Sequence, residues 1–383
     1  MALKKINKNF FISVILLFLI NIAFELYYNF FITKAYFTEG YILDINFFKY
    51  LESKIWLILI IGISFILNSR SQFISSIYLF LIILIFIPSH IIYSYSNGSS
   101  LVFYSVVTFF IIISLFSTIK LKIKTISLNK TYKYYLFLIF TILLLIPIIK
   151  DFKFEINLNV LKLNNIYDVR EVYKSNISFL SSYTFGWLAK VVIPIMLVYS
   201  LIRKNYKVAL LSFFVLLYLF LISGHKSVYF TPIVILFYYF MGKDYNKKIM
   251  LTFLFLLIFF ILINIPDILM DRYLFKSLFI RRMFFVSPLL NEYYFDFFQG
   301  QPVYLSHSIF KLFIDYPYDV TPAYIIGDVY FNKPNMSANN GIISDGFMNF
   351  GYLGVIIFSF LFSIILAILN SIKLNAKYFG IFI

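Results

Sequence analysis

The sequence predicts an all-α, polytopic integral membrane protein with about ten transmembrane helices. Its 383 residues are 62% hydrophobic and only 13% charged, which is more apolar surface than one water-soluble globule can bury. Apolar stretches recur along the whole chain, and most approach the ~20 residues that a helix needs to cross ~30 Å of hydrocarbon. We therefore expect residues 1–383 to form a single transmembrane domain.

Each predicted segment is defined by its run of apolar residues. The second and eighth runs are short, and the last includes a polar lead-in. The first follows a Lys-rich start without a small-residue cleavage site, so we interpret it as a retained signal anchor. The ten segments are Phe10–Ile32, Ile55–Leu67, Phe73–Tyr95, Leu101–Ile119, Tyr134–Ile149, Tyr183–Ile202, Val208–Ser223, Val228–Met241, Ile249–Ile265 and Gly341–Ile372.

The distribution of charge along the chain predicts its orientation. When the loops are assigned alternately to two sides, one side has 17 Lys and Arg against the single acidic residue Asp244, and the other has 15 against 14. This asymmetry is the positive-inside pattern, which predicts that both termini are cytoplasmic. It explains the net charge of +16 without a nucleic-acid partner. The pattern instead favours anionic membrane lipid as the partner of these basic residues.

Two long polar segments are then external: residues 150–182 and residues 266–340. We expect the second to contain short helices and most of the chemistry. The chain has no cysteine and three histidines, so we expect neither a metal site nor a cofactor. The cytoplasmic loops have no phosphate-binding glycine pattern, which disfavours an ATPase or kinase.

Arginine is scarce in this chain, yet Arg272, Arg281 and Arg282 lie in one eleven-residue window. Aromatic and aliphatic residues separate these cations in a helical pattern. A guanidinium donates paired hydrogen bonds to phosphate oxygens, so the window is a candidate site for a lipid-linked phosphate. Anchoring of the loop among lipid head groups explains the same pattern.

A second cationic candidate is the turn Ser223–Ser227, which contains His225 and Lys226. An imidazole can exchange protons near neutral pH, and an ammonium can pair with phosphate. Two interfacial cations in an ordinary membrane loop are the alternative. Arg170, in the first polar segment, is a further candidate anion contact, although Glu171 beside it offers a local partner.

Carboxylates and amides stand beside aromatic residues in the long polar segment. Aromatic rings stack on sugar rings, carboxylates and amides hydrogen-bond sugar hydroxyls, and a carboxylate or imidazole can act as a base. Asp345, at the start of the last apolar segment, is also explained as a helix first-turn carboxylate. The candidates are Asp296, His307 and Asp345 for catalysis, and Tyr294, Asp328 and Asn340 for sugar binding.

Two charges fall inside apolar segments: Glu25 in the first and Lys190 in the sixth. A charge at this depth usually faces a cavity or a partner. Lys190 can instead extend its ammonium to the interface.

The order of these residues resembles the bacterial Wzy-type family of oligosaccharide repeat unit polymerases. The resemblance covers about a third of the chain, from Ser223 to Val355, and His225 departs from the Ser or Thr more often found there. It is carried by Ser223–Ser227, Arg281–Phe298, Tyr304–Ser308, Ile326–Phe331, Ala338–Gly341 and Asp345–Val355.

The resemblance implies a membrane glycosyltransferase of the GT-C-like class in the bacterial inner membrane. A hydroxyl of one undecaprenyl-pyrophosphate-linked oligosaccharide would attack the anomeric carbon of another, and the lipid pyrophosphate would leave. Arg281 and Arg282 would hold the donor pyrophosphate, assisted by Lys226, Arg272 or Arg170, with no cofactor. O-antigen or capsular polysaccharide is the implied product, and a chain-length regulator is a candidate partner.

The sequence is also compatible with three other functions. An O-antigen ligase-type transferase uses the same donor, and no residue here separates the two activities. A lipid-linked oligosaccharide flippase or other transporter would favour more intramembrane charges and internal pseudo-symmetry. A non-catalytic scaffold is disfavoured by the dense polar residues of the long loop.

Overall fold

The computed structural model describes residues 7–124, 129–161, 166–308 and 310–382. Within these residues 78% are helical and none lies in a strand, which confirms the all-α prediction. Eight helices in these ranges are long and apolar enough to cross a membrane, as expected of a polytopic membrane protein. They are Lys8–Ala35, Phe47–Arg70, Gln72–Tyr95, Tyr134–Phe152, Phe179–Ile202, Tyr206–Ser223, Tyr245–Leu269 and Ile342–Ser371.

The other two predicted segments form shorter apolar helices, Ser100–Phe116 and Lys226–Phe240. A crossing by ten helices therefore stays a prediction, whereas eight candidates meet the length that hydrocarbon requires. Most bounds agree with the sequence to within a few residues. The second segment is the exception, because its helix starts at Phe47, eight residues before the apolar run begins at Ile55.

Local sequence explains where several helices begin and end. Asn7, Asn46, Ser71 and Ser178 each accept a hydrogen bond from a backbone N–H in the first turn of the following helix, which satisfies a donor that has no partner within the helix. Gly224 ends the helix Tyr206–Ser223 with a φ of 63°, a left-handed conformation that glycine adopts without a steric penalty.

The chain divides into two compact units, a division that the sequence does not reveal. The first comprises residues 1–123 and 245–373. In it, Lys8–Ala35 packs along Tyr245–Leu269, and Ser100–Phe116 packs along Ile342–Ser371. Gln72–Tyr95 has the largest buried share of the eight long helices, so it lies at the centre of this unit.

The second unit comprises residues 124–244 and 374–383. Its core is aliphatic and aromatic, with Leu188, Leu216 and Leu219 fully buried. The 3₁₀ helix Ala376–Ile381 packs on Lys226–Phe240.

Both predicted polar segments contain helices, but their bounds differ from the expectation. Residues 150–152 complete the helix Lys130–Phe152, and Ile166–Asn176 lies within the first polar segment. Pro266 belongs to the spanning helix Tyr245–Leu269. The expected short helices of the long segment include Val286–Phe298 and Pro322–Phe331.

The last helix, Ile342–Ser371, is interrupted by a kink. Phe350 and Gly351 have non-helical backbone angles, and Gly351 has φ 62° and ψ −150°, a region almost restricted to glycine. A Cβ atom on Gly354 would lie 2.6 Å from the carbonyl carbon of Gly346, so the backbone packs tightly across the kink.

Replacement of Gly351 by Ala is expected to lower the free energy of unfolding by about 1–3 kcal/mol, because alanine is strained at this φ and ψ. Thermal unfolding in detergent measures the change. Gly62→Ala is the matched control: Gly62 lies in the helix Phe47–Arg70, and a Cβ there meets no atom within 4 Å. Equal melting temperatures for both variants would contradict the expectation.

Candidate functional site

The cationic window of the long polar segment is helical from Leu274 onward, partly as a π-helix, whereas Arg272 lies before the helix begins. Ser277–Phe285 is π-helical and continues directly into the α-helix Val286–Phe298. The wider π turns change which residues share a face, and such turns occur frequently at functional sites. Arg281 and Arg282 lie in this part, while the following helix carries Glu292, Tyr294 and Asp296.

A polar cleft of about 290 Å³ lies beside the helix Val286–Phe298 in the first unit. It combines carboxylates, phenols, an amide and apolar side chains, the mixture expected of a sugar site. Its lining residues are Ser99, Leu101, Glu292, Tyr293, Phe295, Asp296, Gln299 and Tyr330.

Glu292 is the half-buried carboxylate of this cleft. It accepts a hydrogen bond of 3.0 Å from the Ser99 backbone N–H. Burial raises the pKa of Glu292 to about 7, and the negative charge of Asp296 adds to this, whereas the Ser99 N–H and the Lys49 ammonium oppose it. A carboxyl group with a pKa near neutrality can accept a proton and release it again under physiological conditions.

Asp296 lies four residues after Glu292 and is exposed. Tyr330 donates a hydrogen bond of 2.6 Å to the Asp296 carboxylate. The Tyr330 ring stacks on Tyr293 with centroids 4.3 Å apart and planes 13° apart, and Tyr293 donates to the Glu39 backbone carbonyl at 2.7 Å. Burial raises the pKa of both phenols, that of Tyr293 to about 12, so both remain hydrogen-bond donors.

A second group of predicted residues surrounds Asp345, also in the first unit. Asn349 and Asn340 each place an amide nitrogen near the Asp345 carboxylate, at 3.2 and 3.4 Å. Tyr294 donates to the Ala338 carbonyl at 2.8 Å, which commits its hydroxyl to backbone. Asp345 is therefore held by amides, as an orienting carboxylate would be.

His307 belongs to the same region. Burial lowers the pKa of its imidazole, and the negative charge of Asp345 opposes that effect. Its Nδ1 atom is buried and has no hydrogen-bond partner within the described residues. His307 and Asp345 are thus close enough for the Asp345 charge to affect the pKa of the imidazole, while burial favours the neutral form of His307.

The predicted phosphate-binding arginines differ in their surroundings. Arg281 forms an ion pair with Glu39, and its guanidinium carbon lies 3.9 Å from the Tyr36 ring centroid. These contacts already occupy much of the Arg281 side chain, so the prediction that Arg281 is free to bind a phosphate is not supported. Arg282 and Arg272 are exposed, and neither has a side-chain partner within the ranges that the structure describes.

An apolar groove of about 460 Å³ lies between Lys8–Ala35 and Tyr245–Leu269. Phe30, Leu26 and Ile261 line it and are exposed, and Lys276 also belongs to its lining. The Lys276 ammonium is 5.3 Å from the Tyr273 ring centroid. The groove therefore combines a largely apolar lining with one lysine among its described lining residues.

The remaining cationic candidates lie in the second unit. Arg170 donates from Nε to the Gly224 carbonyl at 3.2 Å. The His225 ring lies 5.6 Å from the Tyr173 ring, and burial lowers the pKa of His225, with the Arg170 charge adding to the effect. Lys226 is exposed at the start of its helix.

Asp328 and Lys190 are also exposed. Asp328 lies on the helix Pro322–Phe331, and the cleft is lined instead by Tyr330, two residues later. Glu25 accepts hydrogen bonds from Lys54 and from Asn21 and Tyr95, which gives this intramembrane charge the partner that was expected.

The sequence predicts Asp296 as a site residue but does not single out Glu292, Tyr293 or Tyr330. The available signal was the spacing of Glu292 and Asp296, which lie four residues apart in a helical pattern and therefore share a helix face.

Comparison of this chain with known protein families, with curated protein sequences and with solved structures finds no match.

Proposed function

We propose that this protein is a membrane glycosyltransferase that polymerises oligosaccharides carried on a polyprenyl pyrophosphate. The observation that carries the proposal is the cleft, in which Glu292 and Asp296 stand beside the stacked rings of Tyr293 and Tyr330. Carboxylates and phenols bind sugar hydroxyls, and a carboxyl group with a pKa near 7 is suited to deprotonate one.

The proposed reaction joins two lipid-linked sugars in one displacement. The Glu292 carboxylate takes the proton of an acceptor hydroxyl as its oxygen attacks the donor anomeric carbon. The bond from that carbon to the pyrophosphate oxygen breaks, and the polyprenyl pyrophosphate leaves with the electron pair. Asp296 and Tyr330 orient the acceptor by hydrogen bonds.

Charge on the leaving pyrophosphate needs stabilisation by preorganised donors. Arg282 and Lys276 suit this role better than Arg281, because Arg281 is already paired with Glu39. The apolar groove, whose lining includes Lys276, would suit a prenyl chain whose phosphates remain at the membrane surface. Binding of both the prenyl chain and the phosphates would position the donor.

Localisation in a bacterial inner membrane, with both termini cytoplasmic and the cleft external, forms part of the same proposal. A ligase-type transferase would use the same donor and the same cleft. A transporter is the second candidate class, and one observation favours it: the intramembrane group formed by Glu25, Lys54, Asn21 and His90, in which Asn21 and His90 lie 2.6 Å apart.

Deletion of the gene in its host, followed by gel analysis of surface glycan, tests the proposal. We expect loss of long chains with one repeat unit retained, and restoration by the wild-type gene. Arg282→Ala should restore at least tenfold less polymer, because one charged contact to the leaving group is lost. Lys333→Ala, an exposed cation after the helix Pro322–Phe331, is the control.

Each alternative gives a different pattern. Polymer that accumulates on the carrier lipid would indicate a ligase, and unpolymerised repeat units retained on the cytoplasmic face would indicate a transporter. Unchanged chain length after deletion would contradict all three.

A further inference from the structure

A second polar pocket, of about 240 Å³, lies in the second unit where three spanning helices end. The start of Lys130–Phe152, the end of Phe179–Ile202 and the turn before Tyr206–Ser223 enclose it. Because these helices are apolar enough to cross a membrane, their common end lies at the depth of phospholipid head groups. The lining residues are Thr131, Tyr134, Tyr199, Ser200, Arg203 and Asn205.

The lining of this pocket suits an anion. Among the described residues, its lining comprises one cation, two aliphatic hydroxyls, two phenols and an amide, without a carboxylate. The Arg203 guanidinium lies 5.4 Å from the Tyr199 ring centroid, and Tyr199 stacks on Tyr134 at 6.0 Å. These stacked groups hold a planar set of donors at the pocket rim.

One donor in the pocket lacks a hydrogen-bond partner among the residues that the structure describes. The Tyr134 hydroxyl oxygen is buried and makes no hydrogen bond within the described part of the chain. A buried hydroxyl without a partner is costly, so an external acceptor would stabilise it. The pocket also lies at the N-terminus of the 18-residue helix Tyr206–Ser223, which Asn205 caps, and this end of a helix favours anions.

We propose that this pocket binds the phosphate of an anionic phospholipid head group. Its cation belongs to the side of the chain on which Lys and Arg outnumber acidic residues 17 to 1, the side that faces the more anionic leaflet when it is cytoplasmic. Arg203 grips the phosphate oxygens through paired donors, and the Tyr134 hydroxyl donates to a third oxygen. This site is separate from the proposed glycosyl transfer and does not depend on it.

Native mass spectrometry of the full-length protein, titrated with phosphatidylglycerol, tests the proposal. We expect Arg203→Ala to raise the Kd for this lipid about tenfold, the loss expected for one charge-assisted contact. Tyr134→Phe removes a single oxygen and should raise the Kd severalfold. Lys243→Ala removes the same charge from an exposed position in the same unit, outside the pocket, and should leave the Kd within twofold.

Three results would overturn the proposal. In the first, Arg203→Ala and Lys243→Ala bind phosphatidylglycerol alike. In the second, phosphatidylcholine binds wild type as tightly as phosphatidylglycerol does. In the third, millimolar inorganic phosphate protects Arg203 from chemical modification in the absence of lipid but does not displace bound phosphatidylglycerol. That result would indicate that the pocket binds a free anion and that the lipid binds elsewhere. If Arg203→Ala fails to fold, equal binding by Tyr134→Phe and wild type counts against the proposal in the same way.

Discussion

Replacement of Glu292 by Gln is expected to lower polymer formation at least 100-fold. The substitution keeps an acceptor oxygen for the Ser99 N–H but removes the group that would take the proton, and a general base typically contributes 10²- to 10⁴-fold. Polymerisation of a purified lipid-linked repeat unit by the protein in nanodiscs measures the rate. Asp315→Asn, an exposed carboxylate outside the cleft, is the charge-matched control.

The pH dependence of the same reaction provides an independent check. With the pKa of Glu292 raised to about 7, the carboxylate that acts as base is lost as pH falls, so the wild-type rate should decrease tenfold per unit well below pH 7. The folded-state pKa lies above its ordinary value, so ionisation removes stability as pH rises through about 7. Glu292→Gln should therefore be at least as stable as wild type at pH 8. If Glu292→Gln retains half of the wild-type activity, or if the wild-type rate does not change with pH, Glu292 is not the general base.

Replacement of Glu25 by Leu is expected to destabilise the first unit by about 3–5 kcal/mol, the usual cost of leaving one member of a poorly hydrated ion pair alone. Glu25 accepts from Lys54, from Asn21 at 2.6 Å and from Tyr95 at 3.1 Å. All four lie in helices long and apolar enough to span the membrane. Unfolding of the purified protein in mixed micelles measures the change.

The double variant Glu25→Leu with Lys54→Met separates charge from packing. It removes both charges, so it should regain most of the lost stability. If the free energy of unfolding of Glu25→Leu is within 1 kcal/mol of the wild-type value, or if Lys54→Met restores none of the lost stability, the ion pair does not stabilise the unit.

The fold was largely predictable because hydropathy alone determines most of it. Apolar runs such as Phe73–Tyr95 correspond closely to the helix Gln72–Tyr95. The π-helical turns were not predictable, since nothing in the run Ser277–Phe285 differs from an amphipathic α-helix pattern. The division into two units was also hidden, because it depends on which apolar faces meet, and helices that are apolar all round give no such signal.

The candidate site was less predictable than the fold. The sequence predicts that most site residues lie in the long polar segment, and the predicted residue Asp296 lines the cleft. Burial raises the pKa of Glu292, and burial depends on the tertiary contact with Ser99, 193 positions away. The partner of Arg281, Glu39, lies 242 positions away, so no local pattern could reveal that this arginine is already paired.

The kink at Gly351 has a consequence for how the last helix fits the bilayer. Thirty uninterrupted residues would form a rod of ~45 Å, against ~30 Å of hydrocarbon, and such a mismatch requires tilting or a locally thickened membrane. The break leaves Tyr352–Ser371, about 20 residues and ~30 Å long. We therefore expect this second part alone to cross the hydrocarbon. The first part of the helix, which carries Asp345 and Asn349, would then lie at the interface.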